Sequence, residues 1–143
     1  MNAKTENNKI VSFHNLEVYQ RSYKSALLVM TKIVPGLPAS EKYDLKDQLS
    51  RSSKAIPRLI AEGYAKRHQR LGFQKYLDDA MAECNETIVS LSQCKDIYPH
   101  HIDTKTCEEL VKEYDITGRQ LYRLAESWSR FKGRKSPTTS PND

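Results

Sequence analysis

A chain of 143 residues and 16.5 kDa has the size of one domain, and a chain of that size buries roughly two-thirds of the surface its unfolded form exposes. Hydrophobic residues make up 38% and charged residues 29%; the longest apolar run, residues 26–30, is far shorter than the ~20 residues of a membrane-spanning helix, so a soluble protein without a membrane partner is expected. Lys and Arg outnumber Asp and Glu by 23 to 18, for a net charge of +5 and an isoelectric point near 9.1, which permits an anionic partner.

In chain order, residues 1–11 are polar apart from Ile10 and Val11 and read as a flexible tail; residues 1–8 contain no apolar signal segment, from which a cytoplasmic protein is expected. A first helix is expected over 15–34, with Leu16, Tyr23, Leu27, Met30 and Val34 on one stripe. Pro35-Gly36-Leu37-Pro38 stops it. A second helix is expected over 40–67, capped by Ser40, with Leu45, Leu49, Ser52, Ile56, Leu59 and Gly63 facing the core. Pro57 lies inside it and predicts a kink or a division. The third helix, 73–98, carries Phe73, Leu77, Ala80, Cys84, Thr87, Leu91, Cys94 and Tyr98 in a heptad rhythm. After Pro99, Asp103 caps a fourth, whose seam runs Cys107, Leu110, Tyr114, Thr117, Leu121, Leu124, Trp128 and Phe131. Four helices with short links make an all-α, antiparallel up-down-up-down four-helix bundle over 12–132, followed by a disordered tail, 133–143.

Two helices show a second line. Val18, Ser22, Ser25 and Val29 lie opposite the first helix's predicted core stripe, and Ala82, Asn85, Val89 and Ser92 repeat the pattern on the third. Small uncharged residues admit a neighbouring helix closely, as a symmetric oligomer requires. They also read as ordinary surface, since single exposed apolar residues are common.

Charge is uneven along the chain. Basic and acidic residues number five and two over 1–33, eight and four over 40–70, two and five over 71–100, and eight and seven over 101–143. Arg51, Lys54 and Arg58 fall on one side of the second helix, and Lys66, Arg67 and Arg70 surround its end, with Tyr64 and His68 among them. Such a strip suits phosphates, with stacking beside them. Asp47 and Glu62 stand four residues from Arg51 and Arg58, so helix-surface ion pairing is the competing reading. Arg130, Lys132, Arg134 and Lys135 add cations near the C-terminus.

Catalytic patterns are missing from the sequence. Three cysteines, Cys84, Cys94 and Cys107, without a CxxC pair make neither a disulfide framework nor a zinc knuckle and read as packed thiols. His100 and His101 with Asp103 and Cys107 make a poor metal set, because adjacent loop histidines rarely face one ion. Glu83 and Glu86 are not followed by the histidine of a Glu-x-x-His motif, and five scattered glycines form no phosphate loop. No enzyme activity and no cofactor are expected.

The run 41–64, EKYDLKDQLSRSSKAIPRLIAEGY, resembles the "E.Y.L..QL.R...SIP.NIAEG" signature of the four-helix-bundle proteins encoded in intervening sequences of bacterial 23S ribosomal RNA genes. Residues 73–80 with Glu83 to Glu86 resemble that family's "F.RFL..A.GS..E", and 13–20 its "F..L.VYQ". Leu59 stands where the family has Asn, Glu83 where it has Ser, and Ala82 in place of the preceding Gly. The resemblance implies a bundle that assembles into a ring-like homopentamer. It extends to the accessory variability determinant of diversity-generating retroelements, a basic pentamer that associates with a reverse transcriptase and nucleic acid; Trp128 followed by Arg130, Lys132, Arg134 and Lys135 is similar to that relative's end. The function expected is a non-enzymatic, homopentameric scaffold binding RNA or DNA non-specifically through Arg51, Lys54, Arg58, Lys66, Arg67, Arg70, Arg130 and Lys132. The alternative is a protein-interaction adaptor, for example an accessory subunit of a retroelement reverse transcriptase.

Overall fold

The structure, a computed structural model, describes residues 9–135, with side chains through Arg130. The chain opens with a 3-10 turn, Phe13–Asn15, which Ser12 caps: its Oγ accepts from the His14 N–H (3.2 Å), and Asn15 Oδ1 accepts in return from the Ser12 N–H (3.1 Å). Helix α1 (Glu17–Leu28) continues through a π-helical turn, Val29–Ile33, in which the Val34 N–H donates to the Val29 carbonyl five residues back. Two short 3-10 turns, Val34–Gly36 and Ala39–Glu41, lead to α2 (Leu45–Ala65).

The start of α2 differs from expectation. Ser40 is exposed within the 3-10 turn, and the capping falls to Glu41, whose Oε1 accepts from the Leu45 N–H (3.1 Å) while Oε2 accepts from the Tyr98 hydroxyl. A carboxylate has two acceptor oxygens, so Glu41 holds the first turn of α2 to the end of the next helix. Both bonds favour its ionised form and hold its pKa below the usual value. Helix α2 runs on through Pro57 as one element rather than dividing there. It ends two residues before the predicted boundary. Leu71 adopts the left-handed conformation (φ 58°), and a Cβ on Gly72 would stand 2.3 Å from the Lys66 carbonyl oxygen. The link between α2 and α3 (Gly72–Ile97) is therefore tight. At α4 (Thr104–Lys135) the expected cap is present: Asp103 Oδ1 accepts from the N–H groups of Lys105 (3.0 Å) and Thr106 (3.3 Å). This helix extends past the boundary at 132; residues 1–8 and 136–143, most of the two expected tails, lie outside the described residues.

These four helices and their short turns make an all-helical bundle, with no strand among the described residues. Each helix packs on its sequence neighbours, and α1 closes the set against α4. The pairings run in opposite senses, as an up-down-up-down course requires. Glu17 meets Gln120 and Arg21 meets Glu113; Glu41 meets Tyr98 and Ser52 meets Thr87; Leu91 meets Cys107 and Phe73 meets Trp128.

The core follows the predicted seams of α2, α3 and α4. Leu49, Ile56, Leu77, Ala80, Leu91, Cys94, Cys107, Tyr114 and Leu121 are buried. The three cysteines are free and packed, and burial pushes the Cys84 and Cys94 thiols up to about 12 and Cys107 to about 11. They are poor nucleophiles at neutral pH.

Helix α1 is turned relative to expectation. Val18, Ser22, Ser25 and Val29, expected to meet another copy, are buried inside the bundle, whereas Tyr23 and Leu27, expected in the core, are 50% and 52% exposed. Small residues win this position because α1 must fit against both α2 and α4; Ser22 also meets its own polar requirement by donating to the Tyr19 carbonyl (3.1 Å). Of the proposed oligomer line, Ala82, Asn85 and Val89 on α3 remain exposed.

Candidate nucleic-acid interface

The basic row of α2 arises because its partners in the helical repeat, Ser52, Ser53, Ile56, Pro57 and Ile60, are buried, leaving Arg51, Lys54 and Arg58 outside. Arg51 is the tethered member: its Nε donates to Asp47 Oδ2 at 3.0 Å. Arg58 does not pair with Glu62; its Nε points along the helix to the Lys54 carbonyl at 3.4 Å. Lys54 and Arg58 have no ion pair among the described residues. Two adjacent cations on a rigid helix, free of carboxylate partners, lose nothing internal when an anion arrives.

The extension at the end of α2 divides by role. Arg67 sits over the Tyr64 ring (3.9 Å to the centroid) and donates from Nη1 to the Tyr64 carbonyl (2.8 Å), closing the helix C-terminus where a cation is favoured. Tyr64 itself is buried, edge-on to Phe73 at 6.0 Å. The expected stacking surface at Tyr64 is therefore already covered by Arg67. Lys66 sits 5.4 Å from the Tyr76 ring centroid. Arg70 and His68 are exposed in the link. Arg130 is exposed on α4 within 3.9 Å of Glu126; the side chains of Lys132, Arg134 and Lys135 lie outside the described residues.

Sequence reasoning missed an aromatic row on α1. Phe13 stacks on His14 (centroids 4.0 Å), meets Tyr19 edge-on (4.8 Å), and Tyr19 meets Tyr23 at 5.8 Å. Tyr19, Tyr23, Leu27 and Met30 recur at helical spacing, a signal hidden by assigning Tyr23, Leu27 and Met30 to the core. The residues weighed for metal do not converge. His100 and His101 are exposed, while Cys107 Sγ lies 3.0 Å from the Leu91 carbonyl oxygen inside the bundle. Glu83 is half-buried; burial first, then the neighbouring Glu86 charge, raise its pKa.

With the Pro57-containing α2 packed on α3 and the N-terminal aromatics seated at α1, the geometry matches the motifs of residues 13–20, 41–64 and 73–86. The model of the 23S rRNA-intervening sequence protein family matches residues 14–123. The chain belongs to that family. No curated protein matches it. As a 23S rRNA-intervening sequence protein it departs from the family motif at Leu59, Ala82 and Glu83 among other positions, and the structure shows how the first and last of these three sit. Leu59 is half-buried against the core in place of Asn, and Glu83 in place of Ser offers its backbone carbonyl to Thr87 Oγ1 (2.8 Å). No helix among the described residues is long and apolar enough to cross a membrane.

Proposed function

We propose that this 23S rRNA-intervening sequence protein is a non-enzymatic cytoplasmic scaffold that assembles as a homopentamer and binds RNA or DNA, without reading sequence, through the basic row of α2. The observation that carries the reading is the pair Lys54 and Arg58, exposed on one helix face with no ion pair among the described residues. A few phosphate contacts per subunit make a weak site; repetition on one rigid assembly raises the effective concentration for each further contact. Arg70 and Lys66 extend the row, while Arg67 serves mainly to close α2. Replacing Arg51, Lys54 and Arg58 with Glu should abolish binding to a mixed pool of single-stranded and duplex oligonucleotides and leave the helical circular dichroism unchanged. Retained binding would move the site elsewhere.

Assembly is supported by surface that the single chain leaves open. Val89 is 55% exposed on α3, and α4 presents exposed Ile116 and Tyr122 and, in one hollow with Tyr122 and Asn85 of α3, Gly118, where an added Cβ would meet nothing within 4 Å. Glycine in a helix interior costs about 1 kcal/mol relative to alanine, and packing within this chain does not require it. Light scattering in nuclease-treated, high-salt buffer should give the mass of five subunits; a monomer overturns the assembly.

The same exposed apolar residues favour the adaptor as the second reading, with a protein such as a reverse transcriptase as partner. Salt separates the two: apolar docking persists at ionic strength that strips nucleic acid from the basic row.

A further inference from the structure

A groove of about 410 Å³ runs between α1 and the basic row of α2, within the size range of clefts that hold small ring systems. Tyr19, Tyr23 and Leu27 form its α1 side, Pro57 lines it from α2, and Lys54 and Arg58 stand on the same α2 side. Apolar surface thus comes from α1 and from Pro57, and the cations come from α2, where Lys54 and Arg58 have no ion pair among the described residues. Tyr23 and Leu27 are each about half exposed, at 50% and 52%, next to the half-buried rings of Phe13 and Tyr19.

The ligand that fits must carry a planar ring and an anion in close succession. A duplex offers its phosphates but keeps its bases stacked inside, so it can use Lys54 and Arg58 and not the groove. An unpaired strand offers both, since every base has a face that stacks on an aromatic side chain irrespective of sequence. We propose that the groove receives unpaired bases of single-stranded nucleic acid against Tyr23 and Leu27, with the flanking phosphates on Lys54 and Arg58. This rests on the reading of the α2 row as a nucleic-acid surface and adds to it that the bound strand is single. Stacking surface is thereby assigned to α1, in place of the buried Tyr64.

The test uses the full chain and three fluorescently labelled probes of equal length: oligothymidylate, an abasic oligomer with the same phosphates, and a matched duplex. By anisotropy, oligothymidylate should bind about tenfold more tightly than the abasic oligomer for each base engaged, and the duplex should bind no more tightly than the abasic oligomer. Tyr23→Ala should remove that margin and Tyr23→Phe should keep it. The dependence on salt should be the same in both variants, because the phosphate contacts are untouched. Tyr23 is a surface residue, and light scattering of Tyr23→Ala should return the wild-type mass. Equal affinity of the wild type for all three probes overturns the groove and leaves the basic row standing as a nucleic-acid surface. Failure to bind any probe overturns that underlying reading and the groove with it. A changed mass for Tyr23→Ala assigns the groove to a second copy of the chain and overturns the proposal.

Discussion

Gly63 and Gly118 both lie inside long helices, and their surroundings are opposite. A Cβ on Gly63 of α2 would stand 2.6 Å from Tyr76 Cβ and 3.1 Å from Phe73 Cδ1 of α3, whereas a Cβ on Gly118 of α4 would meet nothing within 4 Å. Glycine is needed at the first by contacts within the chain; at the second no such contact exists. The α2–α3 seam is complete within the single chain, down to its polar atoms: Thr87 Oγ1 lies 2.8 Å from Ser52 Oγ, and Ser53 Oγ donates to the Leu49 carbonyl at 2.6 Å. The surface around Gly118 is not complete in that sense, for it keeps Tyr122 exposed beside it in the same hollow. Stability is therefore set at the first region, and the proposed assembly is to be tested at the second.

Gly63→Ala should have the largest effect. The clashing atom of Tyr76 is a Cβ fixed to its backbone, so α2 and α3 must separate, and the loss should be about 2 kcal/mol after the better helix propensity of alanine is counted. Urea unfolding of the pure variant measures it. An unchanged midpoint would mean that the seam gives more easily than its packing indicates.

Thr87→Val comes next. It leaves Ser52 Oγ buried without the partner it now has, at a loss of about 1.5 kcal/mol; Ser52→Ala with Thr87→Val should recover part of that loss, and the double-mutant cycle reads the coupling.

Gly118→Ala should do the reverse of Gly63→Ala for the chain itself, stabilising α4 by about 1 kcal/mol because no atom opposes the new methyl. The same change should weaken assembly if a second copy approaches there, seen as a loss of mass on dilution. A stabilised variant of unaltered mass would place the contact between copies elsewhere.

The smallest effect concerns Glu83, at the edge of the seam. Its folded pKa is raised, first by burial and then by Glu86, above the ordinary value of 4.5. The folded chain therefore holds this proton longer than the unfolded chain, and stability falls as pH rises from the unfolded to the folded pKa. Glu83→Gln should remove that contribution, so that the Tm of the variant rises relative to that of the wild type as pH is taken from acid to neutral.

Helices α3 and α4 were legible in the sequence because their inward residues are large or aliphatic and repeat at 3 and 4, from Phe73 to Cys94 and from Cys107 to Leu121. Helix α1 was not, because its inward line mixes Val18 and Val29 with two serines, and a count of apolar side chains favours Tyr23 and Leu27. Volume decided the matter: α1 contacts both α2 and α4, and Ser22, Ser25 and Ala26 fit where tyrosine does not. The site divides in the same way. The side of α2 that carries Arg51, Lys54 and Arg58 follows from spacing, but the pairing of Arg67 with the Tyr64 ring depends on how the chain turns after Ala65, which spacing does not convey.

The π-helical turn at Val29–Ile33 has a consequence for length variation in this lineage. Such a turn holds one residue more than an α-helix needs for the same advance, so it is the place where the chain already tolerates an insertion. Removing Thr31 or Lys32, both exposed, should let α1 close into regular α-helix with Val29 and Ile33 still directed at the core. A single deletion in α3 has no such slack and would rotate every later side chain of its seam by a hundred degrees or so. Relatives that differ by one residue in this half of the molecule should carry the difference at this turn.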